Sequence, residues 1–204
     1  MVSPMDPSES KSGTPPAGAT ECGRIELVCG CMFSGKSLQL IGRVRQARQA
    51  GLKVAAFKHA SDDRYGQRRI VTHDGQQIEA TPVASAGRIA TLAGDADIIA
   101  IDEGQFFDGS LVDVCRQMAR AGRIVIVAGL DRDSWGLPFG PIPALAEVAD
   151  QVTRTRAVCA RCGQPAEYTQ RLVPVADRAM IGGPESYEPR CSRCFQPPPA
   201  DMRR

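Results

Sequence analysis

The eight residues Gly30-Cys31-Met32-Phe33-Ser34-Gly35-Lys36-Ser37 constrain this chain more than any other stretch. They match G-x-x-x-x-G-K-[ST], and their flanks give the pattern physical meaning. The apolar run Ile25–Cys29 before them reads as a strand. Ser37–Gln49 after them carries Leu38, Ile41 and Val44 at helical spacing. A strand that enters a helix through a glycine-rich turn aims several backbone N–H groups and the helix N-terminus at one point, which suits a phosphate. On this reading Gly30, Met32, Phe33, Ser34 and Gly35 shape a cradle for ATP. Lys36 reaches the β- and γ-phosphates, and the Ser37 hydroxyl ligates Mg²⁺. The bland alternative is a glycine-rich turn that only joins strand to helix.

The rest of the chain supplies the fold around this loop. Lys53–Lys58, Ile98–Ile101 and Arg123–Leu130 read as buried apolar strands. Ile89–Leu92, Leu111–Ala121 and Pro143–Ala149 read as helices, and Val152–Val158 as a last strand. His59–Gln77 is polar and broken by glycines, so a long loop with room for a hairpin is expected. Strands alternating with helices argue for an α/β fold with a mostly parallel sheet. The expected organisation is a Pro/Ser/Gly-rich disordered tail over 1–22, an ATP-binding domain over 23–151, a small lobe over 152–195 and a loose Pro-rich end over 196–204.

Asp102-Glu103 closes the strand Ile98–Ile101. Ligands gather at the carboxyl edge of open α/β sheets, so Asp102 is placed to hold Mg²⁺. Glu103 stands one residue further on, where a carboxylate that is not a metal ligand suits a general base. The alternative is a surface acidic pair that merely ends a strand.

Cys159-x-x-Cys162 and Cys191-x-x-Cys194 form two close pairs separated by a long insertion. Two such turns complete a closed tetrahedral Zn²⁺ site of structural type. A redox pair or an iron–sulfur centre are the alternatives. Cys29 and Cys115 read as small buried apolar residues. The N-terminal stretch holds no apolar block for a secretory signal, so a reducing, cytoplasmic location is expected. No run is long and apolar enough to span a membrane. The formal net charge is +2, which gives no electrostatic argument for a nucleic-acid partner.

These residues leave the phosphate acceptor open. The chain from about Arg24 to Cys194 resembles the type II thymidine kinase family. The match is carried by Met32–Ser37, Asp62-Asp63-Arg64-Tyr65, Thr72-His73-Asp74, Asp102–Phe107, Gly129-Leu130-Asp131, Pro138-Phe139-Gly140, Tyr168-Thr169, Ile181-Gly182-Gly183 and Tyr187, together with the cysteine pairs. The resemblance implies a RecA-like P-loop domain and a small zinc-ribbon-like lobe with a "lasso" loop that covers the thymidine base. It implies ATP-dependent phosphorylation of thymidine, and of deoxyuridine, at the 5′-hydroxyl in nucleotide salvage, by a homotetramer. Glu103 would take the hydroxyl proton. Asp62 and Arg64 would lie near the reacting phosphate, where Arg64 would neutralise developing charge. Met32, Phe106, Leu130, Thr169, Ile181, Gly182 and Tyr187 would line the nucleoside pocket. Met32, Leu130 and Tyr187 also suit plain packing, and Asp62 with Arg64 an exposed ion pair. Two departures concern this pocket and loop. Ser134 stands where the family carries an aromatic, with Trp135 next to it, and Cys31 stands where the family often has proline.

A different class of function fits some of the same residues: a nucleic-acid-dependent ATPase with a zinc ribbon. It calls for a basic face and stacking aromatics, whereas only 5% of this chain is aromatic. A zinc-held interaction module with a degenerate loop fits less well, because the loop and its acidic partner are both intact.

Overall fold

A computed structural model describes residues 23–62, 68–72, 74–174, 182–197 and 199. The expected tails, and with them Arg64, His73 and Ile181, lie outside these or partly so. The chain forms β1 (Arg24–Gly30), α1 (Lys36–Gln49), β2 (Val54–His59), β3 (Arg69–Val71), β4 (Gln77–Glu79), β5 (Thr81–Val83), α2 (Ala86–Leu92), β6 (Ile98–Asp102), α3 (Ser110–Arg120), β7 (Ile124–Gly129) and α4 (Ile142–Val148). It continues through β8 (Gln151–Thr155), β9 (Ala157–Val158), β10 (Pro165–Ala166), β11 (Tyr168–Arg171) and β12 (Tyr187–Arg190).

Among the described residues six strands form one sheet in the order β5-β2-β6-β7-β1-β8. Every neighbouring pair in it is parallel. All six strands therefore end on the same edge. Gly30, Asp102 and Gly129, the last residues of β1, β6 and β7, stand side by side there. The mostly parallel α/β architecture expected from the alternation is present.

Strand alternation explains the two apolar layers. Ile25, Leu27 and Cys29 of β1 face one side and pack with Ile99, Ile101, Val125 and Val127 under α2, α3 and α4. Val28, Ala100, Ile126 and Ala128 face the other side and pack against Leu40, Ile41 and Val44 of α1. The 59–77 region does contain a hairpin: β3 and β4 pair antiparallel, and Ile70 and Ile78 seal the α1 layer. Cys29 and Cys115 are buried, as expected for small apolar residues.

The strand expected over 152–158 is divided. Gln151–Thr155 pairs with β1 as the edge of the main sheet, with Gly30 opposite Thr155. Beyond Arg156, Ala157–Val158 pairs instead with Pro165–Ala166. The chain leaves the sheet at this point because the next residues serve the cysteine cluster, where Cys31, Cys159, Ala166 and Cys191 pack together. The antiparallel pair β11–β12 completes the small lobe.

Candidate active site

Loop 30–37 leaves β1 with Gly30 at φ 150° and enters α1 with Gly35 at φ 85°. Only glycine adopts such values at little cost. Lys36 Nζ donates to the Cys31 carbonyl oxygen at 2.7 Å, and Ser34 Oγ donates to the same oxygen at 2.7 Å. Burial lowers the Lys36 pKa, while Glu103, Cys31, Asp102 and Asp131 oppose that shift.

Ser37 and Asp102 meet across the sheet edge. Ser37 Oγ donates to Asp102 Oδ2 at 3.0 Å, with Oδ1 at 3.3 Å. A hydroxyl and a carboxylate in contact beside a phosphate-type loop are the donor set that a nucleotide-bound Mg²⁺ takes. Burial, with Glu103 next to it, pushes the Asp102 carboxyl up to about 7. That is the usual response of a desolvated acid near a second one.

Glu103 sits at φ 55°, in the left-handed region. Among the described residues, Glu103 and Phe33 are the two non-glycine residues with positive φ. Both border one cavity, and residues held in sparsely populated backbone conformations cluster at active sites. The turn of Gly104–Phe106 follows at once, and it directs Gln105 back under Glu103. Gln105 Nε2 donates to Glu103 Oε2 at 2.5 Å, and Gln105 Oε1 accepts from the Leu130 backbone N–H at 2.9 Å.

The cavity, of about 320 Å³, joins these groups to the apolar residues that the sequence pointed to. Lys36, Ser37, Asp62, Asp102 and Glu103 line it together with Met32, Phe33, Gly35, Phe106, Leu130, Thr169, Gly182 and Tyr187. Gly30 and Ser34 shape the loop from behind. Thr169 Oγ1, from β11 of the small lobe, accepts the Met32 N–H at 3.0 Å, so the small lobe touches the loop directly. Arg64 and Ile181 lie outside the described residues.

Asp62 is buried and faces Lys58 Nζ at 3.1 Å. Trp135 is buried but does not line the cavity, while its neighbour Ser134 does. The turn is fixed by Asp133, whose carboxylate accepts from the N–H groups of Trp135 and Leu137 at 2.9 Å. Phe139 and Gln105 are wall residues that the sequence reading did not single out as site residues. Phe139 meets Phe106 edge-on at 5.8 Å. Pro138-Phe139-Gly140 was visible as a motif, but nothing local showed that its ring reaches Phe106. His59 is not a plain loop residue: its ring packs on Phe107 at 4.7 Å.

The four cysteines of the two pairs converge, with their sulfur atoms all within 4.8 Å of one another. Cys162 Sγ and Cys191 Sγ are 3.5 Å apart. Metal–sulfur bonds of about 2.3 Å in a tetrahedron put sulfurs at similar separations, so the donor set fits Zn²⁺. Burial alone would raise the Cys159 thiol. Backbone N–H groups of Cys191, Arg161 and Cys162, with the Cys162 side chain, outweigh it and bring the thiol down to about 6. Cys191 is lowered by similar hydrogen bonds. Cys162 and Cys194 are raised, Cys194 to about 12 by its hydrogen bond with Cys162 and by burial, so the protons are shared unevenly among four sulfurs gathered at one point.

A family model described as thymidine kinase matches residues 23–195. The chain belongs to the thymidine kinase family. A thymidine kinase of Rhodothermus sp. is 50% identical over 176 residues, covering 86% of this chain and 83% of the relative. Thymidine kinases of Bacteroides fragilis and Bacteroides thetaiotaomicron are 45% and 44% identical, each match covering 85% of this chain and 87% of the relative. Membership in the thymidine kinase family brings with it the use of ATP and a metal ion, and the cavity presents both a phosphate-type loop and a carboxylate–hydroxyl pair. Among the described residues no helix is long and apolar enough to cross a membrane.

Proposed function

We propose that this chain transfers the γ-phosphoryl group of ATP to the 5′-hydroxyl of thymidine, and of deoxyuridine, giving the monophosphate. The observation that carries the reading is the continuity of one cavity from Lys36, Ser37 and Glu103 to Phe106, Leu130 and Tyr187. A phosphate donor and a flat nucleoside can thus lie end to end. The relatives named thymidine kinase supply the choice of acceptor.

In this mechanism loop 30–37 holds the triphosphate, with Lys36 on the β- and γ-phosphates. Ser37 and Asp102 would hold Mg²⁺, which screens the charge of the phosphates. Glu103 accepts the 5′-hydroxyl proton as the oxygen attacks phosphorus, and Gln105 keeps the carboxylate aimed. Asp62 stands at the phosphate end, and Arg64 is assigned there from the family motif. Met32, Phe106, Leu130 and Tyr187 enclose the nucleoside, with Thr169 and Gly182 at its edge, and Ile181 is assigned there from the family motif. Phosphoryl transfer asks mainly for alignment and charge neutralisation, which this arrangement offers.

Cys159, Cys162, Cys191 and Cys194 would hold structural Zn²⁺, which would tie together the lobe that brings Thr169 to the loop. The division into tail 1–22, ATP-binding domain 23–151, lasso domain 152–195 and tail 196–204 belongs to the proposal, as do a homotetrameric assembly and a cytoplasmic location.

The test is product analysis with Mg²⁺–ATP and each deoxynucleoside in turn. Monophosphate from thymidine and deoxyuridine alone is the expected result. ATP hydrolysis stimulated by single-stranded DNA, with no nucleoside phosphorylated, would replace this reading by the nucleic-acid ATPase.

A further inference from the structure

Thr155 ends β8 and stands opposite Gly30 in the sheet register. It is buried and does not line the cavity, so the mechanism above makes no use of it. Its hydroxyl nevertheless lies under the loop. Thr155 Oγ1 is 3.1 Å from the Cys29 carbonyl oxygen and 2.6 Å from Ser34 Oγ. Ser34 Oγ is in turn 2.7 Å from the Cys31 carbonyl oxygen, which also accepts from Lys36 Nζ at 2.7 Å.

Two hydroxyls bring two protons to three short contacts. An oxygen–oxygen distance of 2.6 Å needs a proton between the atoms. When Thr155 donates to Ser34, Ser34 donates to Cys31, and a continuous line of hydrogen bonds runs from β8 to the oxygen that orients Lys36. When Ser34 donates to Thr155 instead, Thr155 serves Cys29 and ties the end of β1. Either arrangement fixes the loop from below. The backbone permits no slack here, since a Cβ on Gly30 would fall 2.3 Å from the Thr155 carbonyl oxygen.

We propose that Thr155 is a positioning residue for the nucleotide: its hydroxyl sets Ser34 and, through the Cys31 carbonyl, the Lys36 ammonium. It also stands four positions before Cys159, where the chain leaves the main sheet for the cysteine cluster. The inference rests on the reading that loop 30–37 holds ATP.

The test is Thr155→Val, Thr155→Ala and Thr155→Ser in the full chain. Valine keeps the shape but places a methyl where an oxygen sat at 2.6 Å, and carbon–oxygen contacts require about 3.3–3.6 Å. Titration with a fluorescent Mg²⁺–ATP analogue, steady-state kinetics and melting curves are measured on each. The valine and alanine variants are expected to weaken analogue binding and raise KM for ATP by roughly tenfold. KM for thymidine should stay within about twofold, and serine should restore the wild-type values. Unchanged nucleotide affinity in both variants would overturn the proposal. So would equal losses for both substrates in step with a fall in Tm that serine does not rescue. If the wild-type chain failed to bind the analogue at all, the ATP reading itself would fall, which is a different result from a wild type that binds and variants that bind equally well.

Discussion

The side-chain amide of Gln105 bridges the Glu103 carboxylate at 2.5 Å and the Leu130 backbone N–H at 2.9 Å. The Leu130 N–H can only donate, so the carbonyl end of Gln105 must face it and the NH₂ end must face Glu103. One buried residue thereby aims the candidate base and fixes the backbone just past β7, where Leu130 lines the cavity. Glu103→Gln keeps the shape but removes proton acceptance, and kcat should fall about 10²–10⁴-fold. A loss below about fivefold in steady-state assays would remove Glu103 from the role of base. Gln105→Leu removes a hydrogen bond to a charged group, worth about 1.5–3 kcal/mol, and should lower kcat/KM for thymidine by roughly 10–100-fold while Glu103 remains in place.

Asp102 makes stability depend on pH with a definite sign. Its carboxyl is pushed up to about 7 from an ordinary 3.8, first by burial and then by Glu103. Between these values the folded chain keeps a proton that the unfolded chain has lost, so stability falls as pH rises through that window. In a Mg²⁺-free buffer without nucleotide or chelator, Tm should drop from about pH 5 to pH 8 by more in the wild type than in Asp102→Asn. The same substitution should abolish most turnover. A Tm profile unaltered by Asp102→Asn would show that the buried acid is not what sets it.

Local chemistry made part of this molecule legible and left the rest out of reach. Loop 30–37, Asp102 and the two cysteine pairs are local patterns that the residues display without any tertiary information. β5 escaped because Pro82 sits inside a three-residue strand, which reads as a break; at the sheet edge the missing N–H costs little. β9 to β12 are two to four residues long, too short for any period to show. Gln105, Phe139 and Thr155 act on partners across the fold. Thr155 meets Ser34 across 121 positions, and only the β1–β8 pairing reveals it.

The cysteine cluster should carry the stability of the small lobe. Cys191→Ser should lower both Tm and activity, since Thr169 then loses the support that holds it against Met32. Metal analysis of the purified chain should find about one zinc per chain, lost together with activity on prolonged chelation. Unchanged Tm and activity in Cys191→Ser would end the structural zinc assignment.

Lys58 and Asp62 form a buried ion pair beside the cavity, with the two side chains 2% and 8% exposed. Lys58 also donates to the Arg69 carbonyl at 3.2 Å, so it pins the loop after β2 to the start of β3. Removing one partner leaves the other charge in low dielectric, a loss of about 3–5 kcal/mol for pairs of this kind. Lys58→Met should therefore destabilise strongly in urea. Adding Asp62→Asn should recover part of that stability, because no charge is then stranded. The double variant should still turn over poorly, because Asp62 lines the cavity and is proposed to stand near the reacting phosphate. If the double variant were no more stable than Lys58→Met, the loss would belong to Lys58 packing rather than to the stranded carboxylate.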